Sequence, residues 1–148
     1  MNYSLLYQQI DSLTKSESDL IANLANTSAV LFDALDNINW CGFYMAKEDA
    51  LVLGPFQGKP ACVNIKKGHG VCGTAMKLCE TQVVDDVHSF EGHIACDTAS
   101  ESEIVIPIVV EAQVMAVLDI DSPVKSRFAS EDKTGLEAIA QLTRRFWQ

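Results

Sequence analysis

At 148 residues, with 48% hydrophobic and 21% charged side chains, the chain has the size and balance of one globular domain that buries a core without disulfide staples. Eleven basic against twenty acidic residues give a formal charge of −9, which repels phosphate backbones and anionic lipids and excludes nucleic acid and membrane as partners. The first twenty residues lack a basic start and a long apolar stretch, the longest apolar run is only seven residues, 104–110, and the five cysteines are odd in number; these point to a cytoplasmic protein with free thiols.

In chain order, Leu20, Ile21, Leu24, Ala25, Ser28, Leu31, Phe32 and Leu35 recur at helical spacing, with Thr14 and Glu17 as a candidate capping box, and predict a helix over 16–35. Two apolar stretches, 38–45 and 50–56, flank the charged Lys47-Glu48-Asp49 and predict a β-hairpin. A long loop with glycines and lysines, 58–70, leads to a short helix over 71–78, a short strand over 81–84 and a polar loop over 85–100. A second hairpin follows, 104–110 and 114–120 around Glu111-Ala112-Gln113, with Pro107 demanding an edge or a bulge. Ser130, Glu131 and Asp132 open a final helix whose face carries Leu136, Ile139, Ala140, Thr143 and Phe146. This order predicts an α+β single domain spanning 1–148, an antiparallel sheet flanked by the terminal helices.

Chemistry concentrates in a 35-residue stretch holding Cys62, Cys72 and Cys96 in the contexts Ala-Cys-Val, Gly-Val-Cys-Gly and Gly-His-Ile-Ala-Cys-Asp. Their separations of 10, 24 and 34 residues form no CxxC pair, so any thiol partnership must be made by the fold. Cys72 follows two glycines near a helix start, where backbone N–H groups and the dipole stabilise a thiolate; local physics alone selects it as the nucleophile. Cys41, in a strand, and Cys79, at a helix end, are expected to be packed and inert. His69, His88 and His93 lack the short pairings that preorganise zinc, so no metal is expected.

Asp119 and Asp121 point to one face of their strand, as do Glu101 and Glu103 on theirs. A hairpin centred on residue 112 sets Glu103 opposite Asp121. Such a pair either shares a proton that can be given to a developing oxygen or forms a solvated strand end. Trp40 and Tyr44 share a strand face and wall an apolar pocket or join the core.

The segments INWCGFY, LVLGPFQGKPACV, GHGVCGTA, DVHSFEGHIACD, SEIVIPIV and VLDIDS closely resemble the free methionine-(R)-sulfoxide reductase family, enzymes built on a GAF domain. The resemblance implies that Cys96, not Cys72, attacks the sulfoxide sulfur, that Cys62 resolves the resulting sulfenic acid as a disulfide, and that Cys72 relays or also resolves. It places Glu103, Asp119 and Asp121 among the substrate carboxylates and Trp40 and Tyr44 among the pocket aromatics. Asp119 or Asp86 would hold the substrate's ammonium group. The implied partners are free methionine sulfoxide and thioredoxin as reductant, with no metal or organic cofactor. Two other classes remain open, a GAF sensor module without catalysis and a zinc-structural protein. The oligomeric state is open too, a homodimer included.

Overall fold

The computed structural model describes residues 1–93 and 99–148. Six strands, β1 (Trp40–Lys47), β2 (Ala50–Gly58), β3 (Asn64–Lys66), β4 (Gln82–Val84), β5 (Ser102–Val110) and β6 (Gln113–Ser122), form one antiparallel sheet in the order β3-β2-β1-β6-β5-β4. The α+β expectation therefore holds. Strand alternation divides the sheet cleanly. Phe43, Ile104, Ile106, Leu118 and Ile120 project to one face and pack with Leu6, Leu24, Leu31, Leu136 and Ile139 from α1 (Tyr3–Thr14), α2 (Leu20–Ala34) and α4 (Ser130–Thr143). Each of these fully buried side chains contributes about 1.5–3 kcal/mol relative to exposure. The other face carries Trp40, Tyr44, Leu51, Ile65, Val105 and Val117, covered by α3 (Gly70–Leu78).

Two helix expectations are corrected. The first helix, α1, is absent from the sequence reading, although Leu6, Ile10 and Thr14 mark its buried face and Asn2 caps it by accepting from the Leu5 N–H at 3.0 Å. Thr14 is not a cap; it ends α1 and donates to the Ile10 carbonyl, while Asp19 caps α2 through the Ala22 N–H. The short β3, paired with β2 through Leu51 and Ile65, lies within the span expected to be a loop. Pro107 fits its strand because β4 covers only 103–105 of β5, leaving no ladder partner on that side for a missing N–H.

Two irregularities tune the sheet. Between Gly42↔Phe56 and Tyr44↔Leu53, β2 carries one residue more than β1. Because side chains alternate, the extra residue turns Phe56 onto the same face as Leu51 and Leu53, where it stacks on Trp40 at 5.1 Å between ring centroids. Gly42 makes room for this: a Cβ there would stand 2.3 Å from Phe56 Cβ. In the β5–β6 hairpin the turn is Glu111-Ala112, both with positive φ, and a second shift follows Ile108, where β6 carries the extra residue.

Candidate active site

Trp40 on β1, Asp121 on β6 and Glu103 on β5 form one row across the sheet, by the pairings Trp40↔Asp121 and Glu103↔Asp121. Asp119 lies one step along the same face, opposite Gly42 and Val105. Above this row the start of α3 and the segment before β3 close a cavity of about 50 Å³. It is lined by Trp40, Tyr44, Pro60, Ala61, Ile65, His69, Gly70, Val71, Cys72, His93, Ser100, Glu103, Asp119 and Asp121. The cross-strand carboxyl pair is thus present as the hairpin arithmetic predicts. Its solvated alternative is not: Glu103 is 7% exposed, with the half-buried Asp121 beside it.

Burial raises the pKa of Glu103 well above the ordinary carboxylate range, and the negative charges of Asp119 and Asp121 raise it further. Burial also raises Asp119, against hydrogen bonds from Glu103, Cys72 and Asp121 that lower it. One oxygen of Asp119, Oδ1, is buried without a hydrogen-bond partner among the described residues. A buried acceptor left unpaired costs about 1–3 kcal/mol, so this oxygen is suited to a donor that arrives with a ligand. Burial and mutual repulsion thus make Glu103 and Asp119 hold a proton more tightly than free carboxyls do.

Cys72 corrects the helix-start argument. It is on the first turn of α3, as expected, but its thiol is buried among the carboxyls. Burial, then the charges of Asp119, Glu103 and Asp121, push its pKa well up, overwhelming any help from the helix dipole. This thiol is the opposite of a ready nucleophile. Cys62 sits differently. Its sulfur is in a disulfide, and its carbonyl accepts from the Tyr44 hydroxyl at 2.8 Å, while the Trp40 indole donates to the Lys59 carbonyl at 3.1 Å. The two aromatics that wall the cavity, stacked 5.8 Å apart, therefore also hold the segment that carries Cys62.

Comparison with known proteins decides what this arrangement belongs to. Residues 19–144 match the model of the GAF domain. Free methionine-R-sulfoxide reductase of Escherichia coli is 54% identical over 143 residues, 96% of this chain and 87% of that protein. The chain belongs to the free methionine-R-sulfoxide reductase family. Its fold superposes on two solved members of that family. The reduced form of fRMsr from Staphylococcus aureus gives a TM-score of 0.96 at 53% identity, covering 99% of this chain and 96% of that one. Free methionine-R-sulfoxide reductase from Neisseria meningitidis, in complex with its substrate, gives 0.95 at 41%, covering 98% and 87%.

Cys96 lies outside the described residues. Asp86 does not line the cavity; it caps the short 3₁₀ turn Val87–Ser89 through the His88 N–H and pairs with Lys125 at 3.3 Å. Glu101 stands at the surface with His88, 2.9 Å away. Cys41 is buried as expected, but Cys79 is exposed, in a left-handed C-cap of α3. His93, weighed in the sequence only as a zinc ligand, enters the cavity wall with Nε2 3.9 Å from Glu103 Oε1. Burial, then the nearby His88, lowers its pKa, which favours the neutral imidazole beside Glu103. Its place three residues before Cys96 is the signal that could have drawn attention to it. Cys72, Glu103 and Asp119 bring ligand atoms within 4.8 Å of one another, close enough for a cation. The hydrogen bonds linking the groups account for that closeness. Among the described residues no helix is long and apolar enough to cross a membrane.

Proposed function

We propose that this chain reduces free methionine-(R)-sulfoxide to methionine by a thiol cycle. The observation that carries the reading is the Glu103–Asp121 row, with Glu103 and the neighbouring Asp119 buried, in a cavity backed by Trp40 and Tyr44. A sulfoxide oxygen is a poor leaving group until it is protonated, and an acid whose pKa is raised supplies that proton near neutral pH.

In this reading Cys96 supplies the thiolate that adds to sulfur while Glu103, sharing its proton with Asp121, protonates the oxygen. As the new sulfur–sulfur bond breaks and the hydroxyl passes to the cysteine sulfur, methionine leaves with its sulfur reduced by two electrons, and the cysteine is oxidised to a sulfenic acid. The Cys62 thiol then condenses with the sulfenic acid, forming a disulfide and releasing water. A dithiol such as thioredoxin returns the disulfide to two thiols. Cys72, buried with a raised pKa, is assigned no nucleophilic step; its S–H helps hold Asp119. Asp119 Oδ1, buried and unpaired, suits the substrate's ammonium group better than Asp86, which Lys125 already engages. The reaction needs only thiols and carboxyls, and a reducing cytoplasm suits it.

The test is incubation of the reduced protein with racemic free methionine sulfoxide and dithiothreitol, followed by chiral analysis of the remainder. The (R) epimer should disappear and the (S) epimer persist. An N-acetylated, C-amidated methionine-(R)-sulfoxide should be left intact, because it carries no ammonium for Asp119 and leaves a buried acceptor unpaired. Comparable rates on the blocked compound, or no loss of either free epimer, would refute the assignment.

A further inference from the structure

Residues 50–78 contain four lysines, Lys59, Lys66, Lys67 and Lys77, and no acid, in a chain whose net charge is −9. The fold gathers three of them. β3 exposes Lys66, Lys67 follows it, and α3 brings Lys77 back over Gly68, where its Cδ lies 3.2 Å from the position a Cβ would take. With Lys47, Glu48, Asp49, Ala50 and His69 they line an open groove of about 670 Å³. His69 belongs to both this groove and the cavity wall, so the two adjoin.

These cations are not consumed by the fold. Among the described residues none of Lys47, Lys59, Lys66, Lys67 and Lys77 joins an ion pair, whereas Lys125, Arg127 and Arg145 are each matched to an acid. Cys62 lies between Lys59 and Lys66 and is followed by Val63, 56% exposed, an apolar contact point beside the disulfide. Gathered like charges repel one another and raise the potential at the surface, which an anionic partner relieves. Free methionine sulfoxide is a zwitterion without net charge, so a long-range field does little to steer it. A protein with an acidic face is steered, and the lysines spread over β3 and α3 suit a broad contact better than a small anion.

We propose that this lysine face docks the reducing partner, an acidic protein that presents an exposed dithiol to the Cys62 disulfide. The inference rests on the thiol cycle proposed above. One partner thiolate attacks a sulfur of the disulfide, forming a mixed disulfide and releasing one thiolate of this chain. The second partner thiol then attacks the mixed disulfide. The partner leaves oxidised, and two electrons and two protons have passed to this chain.

The experiment uses the oxidised protein without methionine sulfoxide, so that docking is read apart from reductase activity. Reduction of its disulfide is followed in rapid mixing with thioredoxin as the acidic dithiol protein, with glutathione as a small anionic thiol, and with uncharged dithiothreitol. The variants are Lys66→Glu with Lys67→Glu, and Lys67→Glu with Lys77→Glu; the matching arginine doubles are controls. The glutamate variants should react about tenfold more slowly with thioredoxin, less than about threefold more slowly with glutathione, and unchanged with dithiothreitol. The arginine doubles should match the parent, whose thioredoxin rate should fall with salt while that of the glutamate variants does not. An unchanged thioredoxin rate would overturn the proposal. So would an equal loss with glutathione, which marks a small-anion site, or an equal loss with dithiothreitol, which marks damage to the disulfide's surroundings.

Discussion

Replacing Glu103 by glutamine should cripple turnover and stabilise the fold at the same time. The side chain sits in a row with Asp121 and beside Asp119, buried, and keeps its proton at pH values where a free glutamate has lost it. As a general acid it is worth about 10²–10⁴-fold in rate, or about 3–5 kcal/mol of barrier. Glutamine keeps the shape and cannot give that proton, so kcat should drop by about this factor while KM changes less than about threefold. Stability moves the other way. The folded pKa is raised above the unfolded one, near 4.3, so the contribution of this carboxyl is fully present below the unfolded pKa and is lost as pH rises through the folded value. Glutamine carries no such loss. Its advantage over the parent should be absent in acid and grow toward neutral pH, each kcal/mol moving the thermal midpoint by about 3 °C. Methionine formation with dithiothreitol and thermal melts from acid to neutral pH measure both. An unchanged kcat, or a stability gain that is largest in acid, would refute the reasoning. In the parent, activity should fall as pH rises through the raised pKa.

Cys96→Ser should abolish multiple turnover with the melting curve unchanged, and Cys62→Ser should release about one equivalent of methionine per chain and then stall, measured by quenched-flow product analysis. If Cys72→Ser is dead while Cys96→Ser turns over normally, the assignment of thiols is reversed. Gly42→Ala should cost about 1–3 kcal/mol in denaturant unfolding, because a Cβ there meets Phe56 Cβ at 2.3 Å and neighbouring backbone at 2.7 Å. It should also raise KM by displacing Phe56 from Trp40; a neutral substitution would mean the stack has slack.

The carboxyl row was legible because it depends on alternation and on one turn. The pairing of Glu103 with Asp121 is right, yet the turn is two residues, Glu111 and Ala112, not three, and would by itself set Glu103 opposite Ile120. The extra residue in β6 after the turn restores the pairing. No local sequence signal marks that bulge. Cys72 shows the reverse failure. Its place at a helix start was correctly read, but the sign of its pKa shift depends on three carboxyls at positions 103, 119 and 121, which only the folded sheet brings beside it. Asp86 looked like a spare acid, and the lysine that engages it, Lys125, is 39 residues away in the sequence. The first helix was missed because its buried face is only Leu6, Ile10 and Thr14 in twelve residues, a weak periodicity that packing against α4 completes.

The extra residue in β2 gives this part of the chain something like a reading frame. Removing one residue at Gly54 or Pro55 would excise the bulge and leave Phe56 on its face; removing both would leave every downstream side chain chemically intact and turn each to the other side of the ribbon. Phe56 would then point toward α2, and Trp40 would lose its stacking partner although neither residue had been touched. Substitutions along 54–58 are therefore local events, but loss of both Gly54 and Pro55 is a frameshift in three dimensions. Among descendants of this chain, length between Tyr44 and Lys59 should lose at most the one bulge residue, or vary at the Glu48-Asp49 tip, where the strands have not yet begun to count.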